Sequence, residues 1–198
     1  MTRSSCVYAD DIIVGFEHET DARRFSDAMR ERLERFALSL HPVKTRLIEF
    51  GRYAANRRAQ RGLGKPESFS FLGFTFICGK SRRGTRRDRM QAKLRAIKQE
   101  MRRRMHQPIP VQGKWLQQVV SGYFNYHAVP TNSRALHAFR HLIAELWQRS
   151  LRRRSQKHSM TWERFTQLAS DWLPKPRILH PWPERRFAVK HPKWEPYA

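Results

Sequence analysis

The chain has 198 residues, enough for one ordinary domain or two small ones with a hydrophobic core. Apolar residues make up 39% and charged residues 29%, with 40 Lys and Arg against 17 Asp and Glu, a formal net charge of +23; the 12 Phe and 6 Trp exceed what a disordered chain carries. No apolar run is long enough to span a membrane, no secretory leader is evident, and Cys6 and Cys78 make neither a disulfide framework nor a zinc pattern, so a protein of a reducing cytosol is expected.

Charge is divided unevenly. Residues 1–50 carry eight Lys and Arg and nine Asp and Glu, net −1; residues 51–198 carry 32 and eight, net +24. Such a surplus repels itself unless a polyanion neutralises it, which makes nucleic acid the expected partner. An anionic membrane surface suits it less, because Pro and Trp interrupt the basic region where a surface-bound segment would be one long amphipathic helix.

In chain order, residues 4–8 and 12–16 are predicted strands around an acidic turn at Asp10 and Asp11. Phe25, Met29, Leu33 and Phe36 share one face of a predicted helix over about 21–37, and Pro42 bars its continuation. Residues 45–50 alternate as a strand, 51–68 form a glycine- and arginine-rich loop, and 69–77 (FSFLGFTFI) form a strand with a bulge at Gly73. Its pairing partner looks shortened, which leaves an open edge. A basic turn then leads to a helix over 86–104 whose stripe Met90, Leu94, Ile97 and Met101 faces inward. Further helices are expected over 112–127, from 133 to about 153 with Asn132 or Ser133 as cap, and from a Thr161 cap to Asp171. Trp115, Tyr123, Phe139, Leu142 and Trp147 are the expected core. The fold class is α+β: an α/β piece at 1–78, an all-helical basic piece at 86–172 and a tail at 173–198 rich in proline and tryptophan.

Tyr8-Ala9-Asp10-Asp11 carries the sharpest chemical signal. Adjacent carboxylates at a hairpin tip concentrate hard oxygen ligands, the arrangement that two-metal phosphoryl transfer requires of Mg²⁺ sites. An Asp-Asp turn with merely solvated carboxylates has the same four letters.

The stretch YADD, followed by DARRF, LSLHPVKTRLIEFGR, FSFLGFTF and CGKSRRG, resembles the C-terminal half of a bacterial group II intron reverse transcriptase. The run GYFNYHAVPTNSRALHAFRHLIAELWQRSLRRRSQK resembles its maturase-specific thumb domain, and TWERF with WLPKPRILHPWPERRFAV resembles the tail of members without an endonuclease. The resemblance covers essentially the whole chain. It implies a truncated reverse-transcriptase palm followed by a helical thumb. Asp10 and Asp11 would bind Mg²⁺, with Lys44 near the nucleotide phosphates and Tyr8 beside the primer end and incoming nucleotide. Phe71, Leu72 and Gly73 would form the primer grip. Arg134 and Arg140, with the basic helix face that holds Arg86, Arg87, Arg89, Lys93, Arg95, Lys98, Arg102, Arg103 and Arg104, would contact intron RNA or an RNA/DNA duplex. The cluster Arg149, Arg152, Arg153, Arg154 and Lys157 is expected to line the same groove.

The family's fingers and first palm half, with a third catalytic aspartate, precede the YADD hairpin, and here only seven residues precede Tyr8. Asp21, Asp27, Asp88 and Asp171 all lie on or beside helices, so none is placed to face Asp10 from a strand. The expectation is a bacterial cytoplasmic fragment that binds RNA and does not polymerise alone. The alternatives are polymerase activity restored by a separate N-terminal fragment, or a remnant that binds nucleic acid non-specifically.

Overall fold

A computed structural model describes residues 4–8, 11–78, 82–154 and 160–182, with 4–6, 8 and 82–84 described by backbone alone. Helices combine with short antiparallel strands, an α+β fold, and the chain divides into two compact units, Met1–Glu67 and Ser68–Ala198.

In the first unit, β1 (Ser4–Tyr8) and β2 (Asp11–Gly15) pair antiparallel, Ser4 opposite Gly15 and Tyr8 opposite Asp11. Helix α1 (Glu19–Glu34) follows, with Glu19 and Asp21 in its first turn and Arg32 in its last, as the helix dipole favours. Ala22 is buried, Phe25, Met29 and Leu33 are half-buried, and the Phe25 ring lies 5.2 Å from Phe16. The helix stops before the expected residue 37. Ala37 takes a left-handed φ of 53°, and the Leu38 and Ala37 N–H groups donate back to the Leu33 and Glu34 carbonyls at 3.0 Å each. This pair of bonds satisfies the orphan carbonyls of the last turn. Phe36 is thereby displaced from the apolar stripe and is 63% exposed, with the Arg32 guanidinium 5.4 Å from its ring.

Two further expectations fail in this unit. Residues 45–50 form no strand, because among the described residues no strand lies beside them to complete a ladder; Leu47 and Phe50 are exposed. The expected loop contains α2 (Ala54–Gln60), which ends at Gly62 (φ 67°) through the same pair of back-bonds, Leu63 N–H to Arg58 and Gly62 N–H to Ala59. Arg58 and Arg61 pair with Glu49, and Arg46 with Glu67.

The second unit opens with a meander of β3 (Phe69–Phe71), β4 (Phe74–Ile77) and β5 (Arg82–Thr85). The expected single strand over 69–77 is therefore two strands. Leu72 (φ 48°) and Gly73 (φ 76°) are both left-handed, the two-residue turn that suits the twist of a hairpin. Phe69 faces Phe76 across it, rings stacked at 4.9 Å. β4 is paired on both sides, so the expected open edge at 69–77 does not fall on it. The break between compact units falls before this sheet, rather than at residue 78.

Helices α3 (Arg87–Arg103), α4 (Ile109–His127), α5 (Ser133–Arg152) and α6 (Trp162–Trp172) complete the unit. α4 starts three residues before the expected 112. Pro108 caps it and Pro110 sits in its first turn, where no backbone N–H is needed. Thr161 caps α6 as expected, its hydroxyl accepting the Arg164 N–H. Leu116, Val120, Leu136, Phe139, Ile143, Trp147 and Phe165 are fully buried. Tyr123 stacks on Phe139 at 3.6 Å, and Trp147 meets Phe165 edge-on at 5.6 Å. Of the expected core, Trp115 and Leu142 are only half-buried.

Two residues that periodicity passes over lock this core. Gln112 is buried; its Nε2 donates to the Arg104, Met105 and Gln107 carbonyls at 3.1, 3.2 and 2.9 Å, and its Oε1 accepts from Trp147 Nε1 at 3.0 Å. It thus caps the C-terminus of α3 from inside α4. Gly113 lies under Trp172 of α6: a Cβ there would come within 2.6 Å of the indole Cγ. Residues 173–182 carry no helix or strand and cross the end of α4, where the Leu179 and His180 N–H groups donate to the Ala128 carbonyl at 3.0 and 3.2 Å.

Candidate functional sites

The carboxylate hairpin belongs to the first unit. Its register sets Tyr8 opposite Asp11, and the residues between them, Ala9 and Asp10, lie outside the described residues, as does the Tyr8 side chain. Asp11 opens β2 and is exposed; Lys44 is exposed in a turn, with no hydrogen bond or ion pair to Asp11. Carboxylate oxygens suit Mg²⁺. Among the described residues, however, no group of three or more His, Cys, Asp or Glu side chains could hold a metal ion.

The hairpin tip at Phe71, Leu72 and Gly73 belongs to the second unit and is anchored to α4. The Tyr126 hydroxyl donates to the Leu72 carbonyl at 2.7 Å, and its ring stacks on Phe74 at 5.6 Å. The other end of the meander is held by Asn132, which is buried although it was expected only as a cap. Its Oδ1 accepts the Thr85 N–H at 3.1 Å, while its Nδ2 donates to Thr85 Oγ1 and to the His127 carbonyl, both at 2.8 Å. Thr85 Oγ1 also lies 3.4 Å from His127 Nδ1. Burial lowers the His127 pKa to about 4.

The strongest positive surface is α3. Ile97 and Met101 are buried and Met90 and Leu94 pack against the same core, so the stripe faces inward as expected. Arg87, Arg89, Lys93, Arg95, Lys98 and Arg102 are exposed and have no acidic partner among the described residues. The other expected contacts divide. Arg86 pairs with Asp88 at 2.6 Å and holds that carboxyl below its ordinary range. Glu100 takes Arg103 at 3.5 Å and Arg104 at 2.7 Å, and the Arg104 guanidinium also lies 5.1 Å from the Trp115 ring.

Arg134, Arg152 and Arg153 are exposed, whereas Arg149 pairs with Glu145 at 3.4 Å. Arg154 donates to the Gln107 carbonyl at 3.0 Å, tying the end of α5 to the α3–α4 turn. Arg140, expected on the RNA face, is half-buried and donates to the Pro174 and Leu173 carbonyls at 3.1 and 3.3 Å; its guanidinium holds the tail to α5. Lys157 lies outside the described residues. No helix among the described residues is long and apolar enough to cross a membrane.

Residues 2–76 match the family model for reverse transcriptase (RNA-dependent DNA polymerase). The match takes in the described part of the first unit, the hairpin β3–β4 as far as Phe76, and the Asp10–Asp11 pair. Comparison with curated proteins and with solved structures finds no match.

Proposed function

We propose that this chain is part of a bacterial group II intron reverse transcriptase and maturase, and that its second unit binds intron RNA or an RNA/DNA duplex in the cytoplasm. One observation carries the reading. A segment matching reverse transcriptase runs directly into a helical unit whose first helix, α3, is fixed by its apolar stripe and presents six exposed cations without acidic partners among the described residues. Cations carried on a packed helix stand where phosphates can reach them, and A-form RNA is recognised largely by such backbone contacts rather than by base edges.

Competition separates this from non-specific polyanion binding. A labelled group II intron RNA held by the full chain should be displaced far less well by an unrelated structured RNA of equal length than by unlabelled intron. Equal displacement would leave only charge attraction.

The match across the Asp10–Asp11 pair supports a second reading, polymerase activity. In it Asp10 and Asp11 would bind Mg²⁺, which supplies charge neutralisation and hydroxyl activation when bound, and a separate N-terminal fragment would supply the remaining ligand. Template-dependent primer extension by the chain with such a fragment, lost in Asp10→Ala and Asp11→Ala, tests it.

A further inference from the structure

Helix α5 carries a second row of side chains that the proposed function leaves unused. Arg134, His137, His141, Glu145, Arg149 and Arg152 recur every three or four residues on one face, all exposed except the half-buried Glu145. At 1.5 Å per residue the row is about 27 Å long. Trp162, the first residue of α6, stands beside its middle and is 41% exposed. The Trp162 ring lies 6.0 Å from that of His141, edge to face, and 5.7 Å from Phe165. From His141 the row continues through contacts: His141 Nε2 to Glu145 at 3.3 Å, then Glu145 to Arg149 at 3.4 Å.

A lone exposed tryptophan needs no explanation. This one is held in place. The Thr166 hydroxyl donates to the Trp162 carbonyl at 2.7 Å, Gln148 Nε2 of α5 donates to the Met160 carbonyl at 3.4 Å, and Thr161 caps the turn. A positioned indole loses little freedom when a ligand stacks on it. Within the α5 row, three arginines stand against one glutamate, Glu145.

We propose that Trp162 and the α5 row form a site for an unpaired stretch of RNA. A base stacks on the indole, and the flanking phosphates follow Arg134, Arg149 and Arg152. Paired RNA keeps its bases stacked inside the helix and has none to offer the ring, so the site selects single strands. The inference rests on reading the second unit as an RNA binder but uses none of the α3 cations.

The test measures binding of two labelled RNAs to the full chain: single-stranded oligo(A) and a blunt-ended duplex with no unpaired base. Trp162→Ala, Trp162→Phe and the α3 variant Arg95→Gln/Lys98→Gln/Arg102→Gln are compared with the wild type, each with an unchanged thermal melt. Trp162→Ala should weaken oligo(A) binding about tenfold, the order expected for one stacked base, and leave the duplex unaffected; Trp162→Phe should recover most of the loss. Equal oligo(A) binding by wild type and Trp162→Ala would overturn the site, as would an equal loss on both RNAs. If Trp162→Ala is silent while the α3 variant loses the duplex, the site fails and the proposed function stands. If the wild type binds neither RNA, both fail. Displacement of oligo(A) by polyglutamate as readily as by unlabelled oligo(A) would also overturn it, in favour of an acidic peptide.

Discussion

Gln112, Gly113, Asn132 and His127 determine how the second unit closes, and hydrophobic periodicity shows none of them. Periodicity finds Phe139 and Trp147 because apolar side chains repeat with the helix turn. A buried amide is defined by the carbonyls around it, and those come from distant parts of the chain. Gly113 is the sharpest case. In a helix interior, Ala normally improves on Gly, by about 0.5–1 kcal/mol. Here Gly113→Ala should destabilise by about 1–3 kcal/mol, because the new methyl drives into Trp172, and an urea melt will show which effect wins. His127 gives a pH signature. Its pKa is 6.5 when unperturbed and about 4 in the fold, so between these values the unfolded chain binds a proton that the folded chain refuses. Stability should fall as pH drops from about 6.5 towards 4 and level off below. In His127→Gln that part of the slope should vanish; an unchanged slope would mean the imidazole protonates without cost in the fold.

Helices with a long apolar stripe were legible, and α3, α4, α5 and α6 each fall within a few residues of expectation. Short elements were not, because partners and turn geometry decide them. The Phe69–Ile77 run alternates like one strand, yet the left-handed pair Leu72–Gly73 folds it on itself. Leu-Gly is a poor turn signal beside Asn-Gly. The Tyr126 hydroxyl bond to Leu72 O and the Phe69–Phe76 stack favour the fold-back instead. Gly73→Ala should therefore cost about 1–2 kcal/mol through backbone strain, since Tyr126 at 3.8 Å leaves ordinary room for a methyl. A melt unchanged by that substitution would mean the turn can adopt another form. In the candidate sites, the inward stripe of α3 was readable from sequence and so was the exposure of most of its cations. That Arg104 and Arg140 are spent on Glu100 and on tail carbonyls was not, since an arginine's letter is the same in both settings.

The chain as a whole separates a small acidic-hairpin unit from a larger basic one, and the boundary before Ser68 has a consequence for stability. Asn132, Thr85, Tyr126 and Leu72 bind the meander to the helices. A fragment beginning at Ser68 should melt cooperatively, whereas one beginning at Arg86 should melt at lower temperature, having left Asn132 without Thr85 and the Tyr126 hydroxyl without Leu72. Equal melting temperatures would show that the sheet adds nothing. The central claim is that the second unit holds RNA through the exposed cations of α3. Its most direct test is the salt dependence of RNA binding for the wild type, for Arg95→Gln/Lys98→Gln/Arg102→Gln and for Asp10→Ala/Asp11→Ala. The arginine–lysine variant should bind more weakly across RNA sequences, and its log–log salt slope should be shallower by about 0.7 to 0.9 for each lost phosphate contact, while the aspartate variant should match the wild type. Identical slopes for the wild type and the α3 variant, with binding in Mg²⁺ lost only in Asp10→Ala/Asp11→Ala, would contradict the account and place RNA at the carboxylate hairpin instead.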